Sequence, residues 1–353
     1  MSAAAPGTVV YYVHHHGSGH AHRASAIAAR CRSTVVGVGS RPAPAGWPGA
    51  WHELPLDTDG VDGPATRALD VTAGGTLHWA PRDHPGLRAR AAAVSGLLAA
   101  GPARLLVADV SVEMALLARL HGVPVAVVLQ PGDRRDRPHR MAHDLAEVLL
   151  APWPARPARP DLAGRIVHLG GLSRYDDRAP VPPPGGRRVL VLTGSGDAGV
   201  DPAAVASAAA ATPDWTWAVA GSIAGALPSD APPNLEPGGW TGDVWAALCA
   251  ADVVVGHAGQ NVVAEIAAAR RPAVIIPADR PYGEQVETGG VLDDAGLATV
   301  RTRWPEPRQW PRLLAEACAR GGQGWVRWSD GRAAERAADV LDRIAAGGAE
   351  PGP

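Results

Sequence analysis

An α/β fold of two domains, each built on a parallel sheet, is what this sequence predicts, and three observations carry the prediction. Short apolar runs alternate with alanine-rich segments of helical period from one end of the chain to the other, the pattern of strand, helix, strand units. The 353 residues exceed what one hydrophobic core ordinarily supports. A proline-dense stretch between Trp153 and Arg188 then separates two such alternating series.

In the first series TVVYYV (8 to 13), STVVGVG (33 to 39), RLLVADV (104 to 110) and VPVAVVLQ (123 to 130) read as strands. Residues 21 to 31, 86 to 100 and 111 to 121 read as helices. Residues 40 to 85 are rich in Pro, Gly and Trp, an irregular length suited to loops that shape a binding cleft. In the second series RVLVLTG (188 to 194), WTWAVAG (215 to 221), DVVVGHAG (252 to 259) and PAVIIPA (272 to 278) read as strands. Helices are expected at about 200 to 211, 243 to 250, 260 to 270 and 309 to 320, with a last alanine-rich one at 332 to 346. These assignments divide the chain into a first domain at 1 to 155, a linker at 156 to 187, a second domain at 188 to 330 and a closing helix within 331 to 353.

Composition removes several classes of function. All 33 basic residues are arginine, so P-loop phosphoryl transfer and Schiff-base catalysis, which both use a lysine amine, drop out. A net charge of −2 gives no reason to expect a nucleic-acid partner. No run approaches the roughly 20 apolar residues of a membrane span, and the first residues lack the basic region of a secretory signal, so a cytoplasmic protein is expected. Cys31, Cys249 and Cys318 are too few and too scattered for a disulfide framework or a CxxC zinc site, and read as small buried side chains.

In open parallel sheets ligands bind beyond the carboxyl ends of the strands, which singles out the loops after TVVYYV, RVLVLTG and DVVVGHAG. The turn TGSGDAG offers Gly194, Ser195 and Gly196 ahead of a helix, either to let backbone N–H groups approach a phosphate or simply to make a tight turn. In GHAGQNVVAE, His257, Gly259, Gln260 and Asn261 gather at a helix start suited to a diphosphate. Glu265 lies one turn deeper, where its carboxylate can accept from two vicinal ribose hydroxyls. After the next strand Asp279, Glu284 and Gln285 form a polar cluster suited to sugar hydroxyls. The plainer alternative makes Glu265 and Glu284 solvated helix charges.

The stretch from 239 to 298, with His-x-Gly, Glu six residues after that glycine, Arg-Pro before a strand ending in proline and then an acidic-Gln pair, resembles the donor-binding half of GT-B glycosyltransferases. In particular it resembles the group containing the N-acetylglucosaminyltransferase that forms lipid II. The resemblance implies two Rossmann-like domains with parallel sheets facing across a cleft. It implies that Gly259, Gln260, Asn261 and Glu265 bind diphosphate and ribose, that Glu284 and Gln285 contact the donor sugar, and that Trp240 and Thr241 flank the base. It also makes VHLGGLSRYDD (167 to 177) the start of the interdomain linker and sends the last helix back onto the first domain.

HHGSGHAHR resembles the loop after the first strand of the same superfamily, through Gly17, Gly19 and His20. A histidine there often serves as general base, since an imidazole with its ordinary pKa of about 6.5 can take a proton at neutral pH. Asp109, at the end of RLLVAD, stands where many glycosyltransferases keep the carboxylate that orients it. His20 with Asp109 is thus the expected catalytic pair, with His16 the rival base and a metal held by His14 and His16 the rival use of the cluster. His14, His15 and His22 are expected to be structural or to line the cleft.

The function implied is an inverting, metal-independent transfer from a UDP-sugar or dTDP-sugar to a hydroxyl or amine of a small-molecule, glycan or lipid-linked acceptor. The nucleotide sugar is a co-substrate, no separate cofactor or metal is expected, and nothing indicates membrane association. Two alternatives use the same residues: a nucleotide-sugar hydrolase, whose Gly-x-Gly-His-x-x-Arg pattern fits Gly17 to Arg23, and a catalytically silent nucleotide-sugar-binding protein.

Overall fold

A computed structural model of the protein describes residues 7–15, 17–61, 64–155, 165–194, 199–236, 239 and 242–347. His16, Ser195, Gly196, Trp240 and Thr241, all singled out above, lie outside the described residues. The chain divides into two compact units. One holds the residues up to Gln130, Arg134–Gly170 and the chain from Arg332 onward, and the other holds Pro131–Asp133 and Gly171–Gly331.

The first unit carries a seven-stranded sheet made of β1 (Thr8–Val13), β2 (Thr34–Gly39), β3 (Trp51–Glu53), β4 (Ala103–Asp109), β5 (Val125–Val128), β6 (Val148–Ala151) and β7 (Ile166–His168). Its order is β3-β2-β1-β4-β5-β6-β7 and every pairing is parallel. Strands covered on both faces must be apolar throughout, and Val9, Val10, Tyr11, Tyr12 and Val13 of the central β1 are all buried. The chain runs outward from β1 to β3 and then crosses back to β4, so the order reverses between β1 and β4. Such a reversal opens a crevice at the carboxyl ends of the two strands.

The helices of this unit are α1 (Gly19–Ala28), α2 (Pro64–Ala68), α3 (Pro85–Ala99), α4 (Val112–Leu120) and α5 (Arg137–Leu145). The irregular stretch after β2 is pinned from below: Glu113 of α4 accepts the backbone N–H groups of His78 and Trp79 at 2.8 and 3.0 Å, and the Trp79 indole donates to the Asp57 carbonyl at 2.7 Å. Strand β7 lies inside the proline-dense stretch, where its edge position asks little of the residues beyond it.

The second unit repeats the plan with β8 (Arg188–Leu192), α6 (Pro202–Ala210), β9 (Thr216–Ala220), α7 (Val244–Ala250), β10 (Val253–Gly256), α8 (Gln260–Ala269), β11 (Ala273–Ile275), α9 (Glu284–Asp294), β12 (Thr299–Val300) and α10 (Trp310–Arg320). The strand order is β12-β11-β10-β8-β9, again all parallel, with the reversal between β8 and β10. Trp217 and Trp310, both fully buried, meet edge to face at 5.1 Å in its core.

The closing helix α11 (Ala333–Ala345) belongs to the first unit, where it packs on α1, β1 and β4. Its buried Asp342 accepts the backbone N–H groups of Arg32 and Ser33, each at 2.9 Å, and so ties the end of the chain to the turn after α1. The cysteines depart from expectation: Cys31 and Cys249 are partly exposed and Cys318, on the outer face of α10, is exposed. No helix among the described residues is long and apolar enough to cross a membrane.

Candidate active site

Residues from both sides of the β1/β4 reversal meet in the first unit. Gly17 turns the chain out of β1 with φ of +70°, a conformation that glycine adopts without strain. Helix α1 begins two residues later and places His20 in its first turn. Arg23, three residues on, falls on the same face. Strand β4 ends at Asp109, which is 0% exposed, and Val110 follows with φ of +75°, an outlier for a β-branched residue.

The three side chains form one hydrogen-bonded group. Nδ1 of His20 lies 2.9 Å from Oδ1 of Asp109. Arg23 forks onto the same carboxylate, Nε to Oδ2 at 3.1 Å and Nη2 to Oδ1 at 2.6 Å, and its Nη2 is 3.0 Å from Nδ1 of His20. Burial alone pushes the Asp109 carboxyl up, but the charges and hydrogen bonds of Arg23 and His20 outweigh it and hold the carboxyl well below the usual carboxylate range. Tyr11, beneath them, has its phenol raised well above the ordinary value by burial and then by the charge of Asp109. His20 keeps 19% of its side-chain surface exposed, so the ring is fixed from behind and open to a reactant in front. His14 and His15 stack at 4.8 Å, and the His14 ring is 5.6 Å from that of His20.

The β8/β10 reversal of the second unit gathers the other group. Gly194 lies just beyond β8, and His257 and Gly259 just beyond β10. A side chain at Gly256 would meet Val262 of α8 at 2.8 Å, so glycine lets the helix sit directly on the strand end. Gly259 is the N-cap of α8 and brings no side-chain cap to its first turn. His257 has Nδ1 2.9 Å from the Ile276 carbonyl, which puts the ring proton on Nδ1 and turns Nε2 to any ligand. Beside it lies a small, mostly apolar depression lined by Thr193, Val200, Gly256, His257, Ile276 and Trp304, among others.

Glu265, on α8 one turn beyond the partly exposed Asn261, is not a solvated charge: it is 7% exposed and its Oε1 is 2.9 Å from Nε of Arg174. Burial raises the Glu265 carboxyl, and Arg174 offsets only part of that. The Arg174 guanidinium also lies over the Tyr175 ring at 4.7 Å. Gln285 is buried at 3% exposure; its Oε1 accepts from Ala278 N at 3.0 Å, and its Nε2 would stand 3.7 Å from a side chain at Gly259. Glu284 opens α9 half-buried, while Asp279 is exposed in the loop after β11. The structure thus brings Gly259 and Gln285 together and sets Glu265 against Arg174, a partner the sequence does not announce.

Among the described residues the only cluster with metal-ligand chemistry is His78, Asp136 and His139, whose candidate atoms lie within 4.8 Å of one another. Its contacts are those of a helix cap. Asp136 is the N-cap of α5 and accepts from His139 N at 3.1 Å, with His139 Nδ1 2.5 Å and His78 Nε2 3.3 Å from its carboxylate. Arg134, which can only donate, is 3.4 Å from Nε2 of His139, so the ring proton belongs on Nδ1 facing Asp136. Burial brings His139 down to about 4, which keeps that ring neutral.

Residues 239–302 match the family model described as glycosyltransferase family 28 C-terminal domain. Over 321 residues the chain is 32% identical to the UDP-N-acetylglucosamine–N-acetylmuramyl-(pentapeptide) pyrophosphoryl-undecaprenol N-acetylglucosamine transferase of Sorangium cellulosum, covering 84% of this chain and 73% of that protein. Among solved structures, the glycosyltransferase of kitacinnamycin superposes with a TM-score of 0.68 at 18% identity over 96% of this chain and 99% of that one. Acinetobacter baumannii MurG superposes with a TM-score of 0.63 at 17% identity over 96% of this chain and 100% of that one. Identity across most of both chains, two parallel-sheet units and the matched C-terminal domain place this chain in the family 28 glycosyltransferases of GT-B fold, enzymes that use nucleotide sugars.

Proposed function

We propose that this glycosyltransferase moves a sugar from a UDP-sugar or dTDP-sugar to an acceptor hydroxyl or amine with inversion at the anomeric carbon, without a metal ion, and with His20 as general base. The observation that carries this reading is the His20, Asp109 and Arg23 group at the β1/β4 reversal, where Nδ1 is engaged by a buried carboxylate and Nε2 remains for the acceptor. The acceptor oxygen attacks the anomeric carbon from the face opposite the diphosphate as Nε2 takes its proton, and the bond from carbon to phosphate oxygen breaks. The nucleoside diphosphate leaves as an anion. Its negative charge is met by the uncapped start of α8 at Gly259, Gln260 and Asn261, by Gly194, and by His257 through Nε2 once that atom is protonated.

Glu265 would accept from the ribose, Glu284 and Gln285 would border the sugar, and Ser195, Gly196, Trp240 and Thr241 would complete the phosphate and base contacts as the family resemblance implies. Gly17 and Gly19 would contribute to donor binding, as the family resemblance implies. The acceptor is a small molecule, a glycan or a lipid-linked sugar. The setting is the cytoplasm, with no cofactor beyond the donor itself.

A thermal-shift panel of nucleoside diphosphate sugars identifies the donor, since a ligand that binds only the folded state raises the melting temperature. Turnover of that donor over an acceptor panel, in buffer with chelator, then tests the chemistry through the configuration of the product. A retained configuration, or turnover that requires added Mg²⁺ or Mn²⁺, overturns the proposal. Free sugar released at the full rate without any acceptor makes the enzyme a hydrolase. Binding with no turnover across the panel makes it a silent binder.

A further inference from the structure

Arg23 is a buried cation that does more than pair with Asp109. It is 4% exposed, it covers both oxygens of a carboxylate that has no exposed surface, and its Nη2 stands 3.0 Å from Nδ1 of His20. An arginine only donates and an ionised carboxylate only accepts, so Nδ1 faces one group of each kind. With the ring proton on Nδ1, both His20 and Arg23 donate to Asp109. With the proton on Nε2, the Nδ1 lone pair could accept from Nη2 of Arg23 at 3.0 Å, but it would also face the ionised Oδ1 at 2.9 Å with no proton between them. The first arrangement is the stable one, and it leaves the Nε2 lone pair for a reactant.

We infer that Arg23 is a positioning residue for the His20 base: by compensating the buried charge of Asp109 it holds the imidazole neutral with its proton on Nδ1 and Nε2 bare. The inference rests on the reading of His20 as the base. Among the described residues the groups facing His20 are Asp109 from β4, Arg23 from its own helix and His14 from the loop after β1, and the Tyr11 phenol of β1 is buried beside Asp109 and Arg23. Of these, Arg23 is the permanent cation. While it is present, Asp109 is already balanced, and a proton added to Nε2 would put a second positive charge 3.0 Å away. Without it, the buried carboxylate has the imidazole as its nearest counter-charge, and the ring is drawn into the doubly protonated form that cannot accept a proton from substrate.

Side-chain nitrogen-15 spectra of His20, assigned by loss of its signals in His20→Gln, read this state directly in the ligand-free protein at about pH 7.5. The wild type is expected to show a single tautomer with the proton on Nδ1. Arg23→Met is expected to show protons on both nitrogens, and Arg23→Lys, which keeps the charge, to recover the wild-type pattern. An unchanged His20 spectrum in folded Arg23→Met overturns the inference. So does a wild-type spectrum with the proton on Nε2, a result that stands even if Arg23→Met does not fold. Full turnover in His20→Ala would instead remove the base assignment and leave the spectroscopic result intact, so the two failures are distinguishable.

Discussion

Nε of Arg174 stands 2.9 Å from Oε1 of Glu265, joining the segment that opens the second unit to the helix after β10. Burial has raised the Glu265 carboxyl despite that cation, so the folded protein binds this proton more tightly than the unfolded chain does. A carboxyl raised on folding favours the folded state as pH falls through the interval between its folded value and the ordinary one of about 4.3. Removing the cation raises the carboxyl further and widens that interval. Arg174→Met is therefore expected to lose about 1–2 kcal/mol near pH 7.5, a discounted figure because a third of the arginine is exposed, and to lose less near pH 5. Denaturant melts at the two pH values check this, and a deficit independent of pH would show that Arg174 acts by packing alone.

Glu265→Gln separates donor binding from folding. The substitution keeps the shape, removes the charge and replaces one strong acceptor oxygen with an amide nitrogen. If the carboxylate accepts from ribose hydroxyls, charge-assisted hydrogen bonds worth about 1.5–3 kcal/mol are at stake, and donor affinity is expected to fall about tenfold or more. Calorimetry with the donor found by thermal shift gives the number. Unchanged affinity for the nucleoside diphosphate would assign Glu265 to the Arg174 pair alone.

Why some of this is legible in the sequence and some is not follows from the physics of each element. Strands β1, β4, β8 and β10 are interior strands of parallel sheets, and their apolar runs can be seen without any partner. Strands β3, β7 and β12 span two or three residues at sheet edges, too short for a periodicity to form. Helix α9 hides because its N-cap is Gly283 and two further glycines, Gly289 and Gly290, interrupt it. The resemblance carried by residues 239 to 298 is strong because the residues that mark it, His257, Gly259, Glu265, Glu284 and Gln285, stand just past a strand end or in the opening turns of α8 and α9, where chemistry as well as packing chooses the residue. Arg23 and Arg174 were not readable as partners of Asp109 and Glu265. Each pair is separated by 86 and 91 positions respectively, and only the fold brings the charges together.

His20→Ala and Asp109→Asn test the two sides of the proposed base. Loss of a general base costs about 10²-fold or more in turnover, and His20→Ala is expected to show that loss with donor affinity nearly intact. Asp109→Asn also removes a carboxyl held below its ordinary range. Such a group stabilises the folded state above its unfolded pKa of about 3.9, and that contribution fades as pH falls below it. Asp109→Asn is thus expected to be less stable than wild type at neutral pH, with Arg23 left buried beside a neutral amide, and the gap should narrow on acidification below about pH 4. Acid titration of the melting temperature for both proteins reads that convergence. Near-normal turnover in His20→Ala would eliminate the base assignment.

Val110 follows Asp109 directly and holds φ at +75°, a region that a β-branched side chain enters only at a cost. Its neighbours explain why the chain accepts the strain. Asp109 must end β4 with its carboxylate turned to His20 and Arg23, and Ser111, the N-cap of α4, must accept from Met114 N at 3.2 Å. One residue is left to turn between these two fixed points. Asparagine tolerates the left-handed region far better than valine, so Val110→Asn is expected to stabilise the protein by about 1 kcal/mol. In a unit of this size that corresponds to a melting temperature higher by about 2–4 °C. If the valine instead holds Asp109 in place by contact, the same variant melts no higher and loses turnover, and the strained turn is then part of the catalytic arrangement rather than a by-product of it.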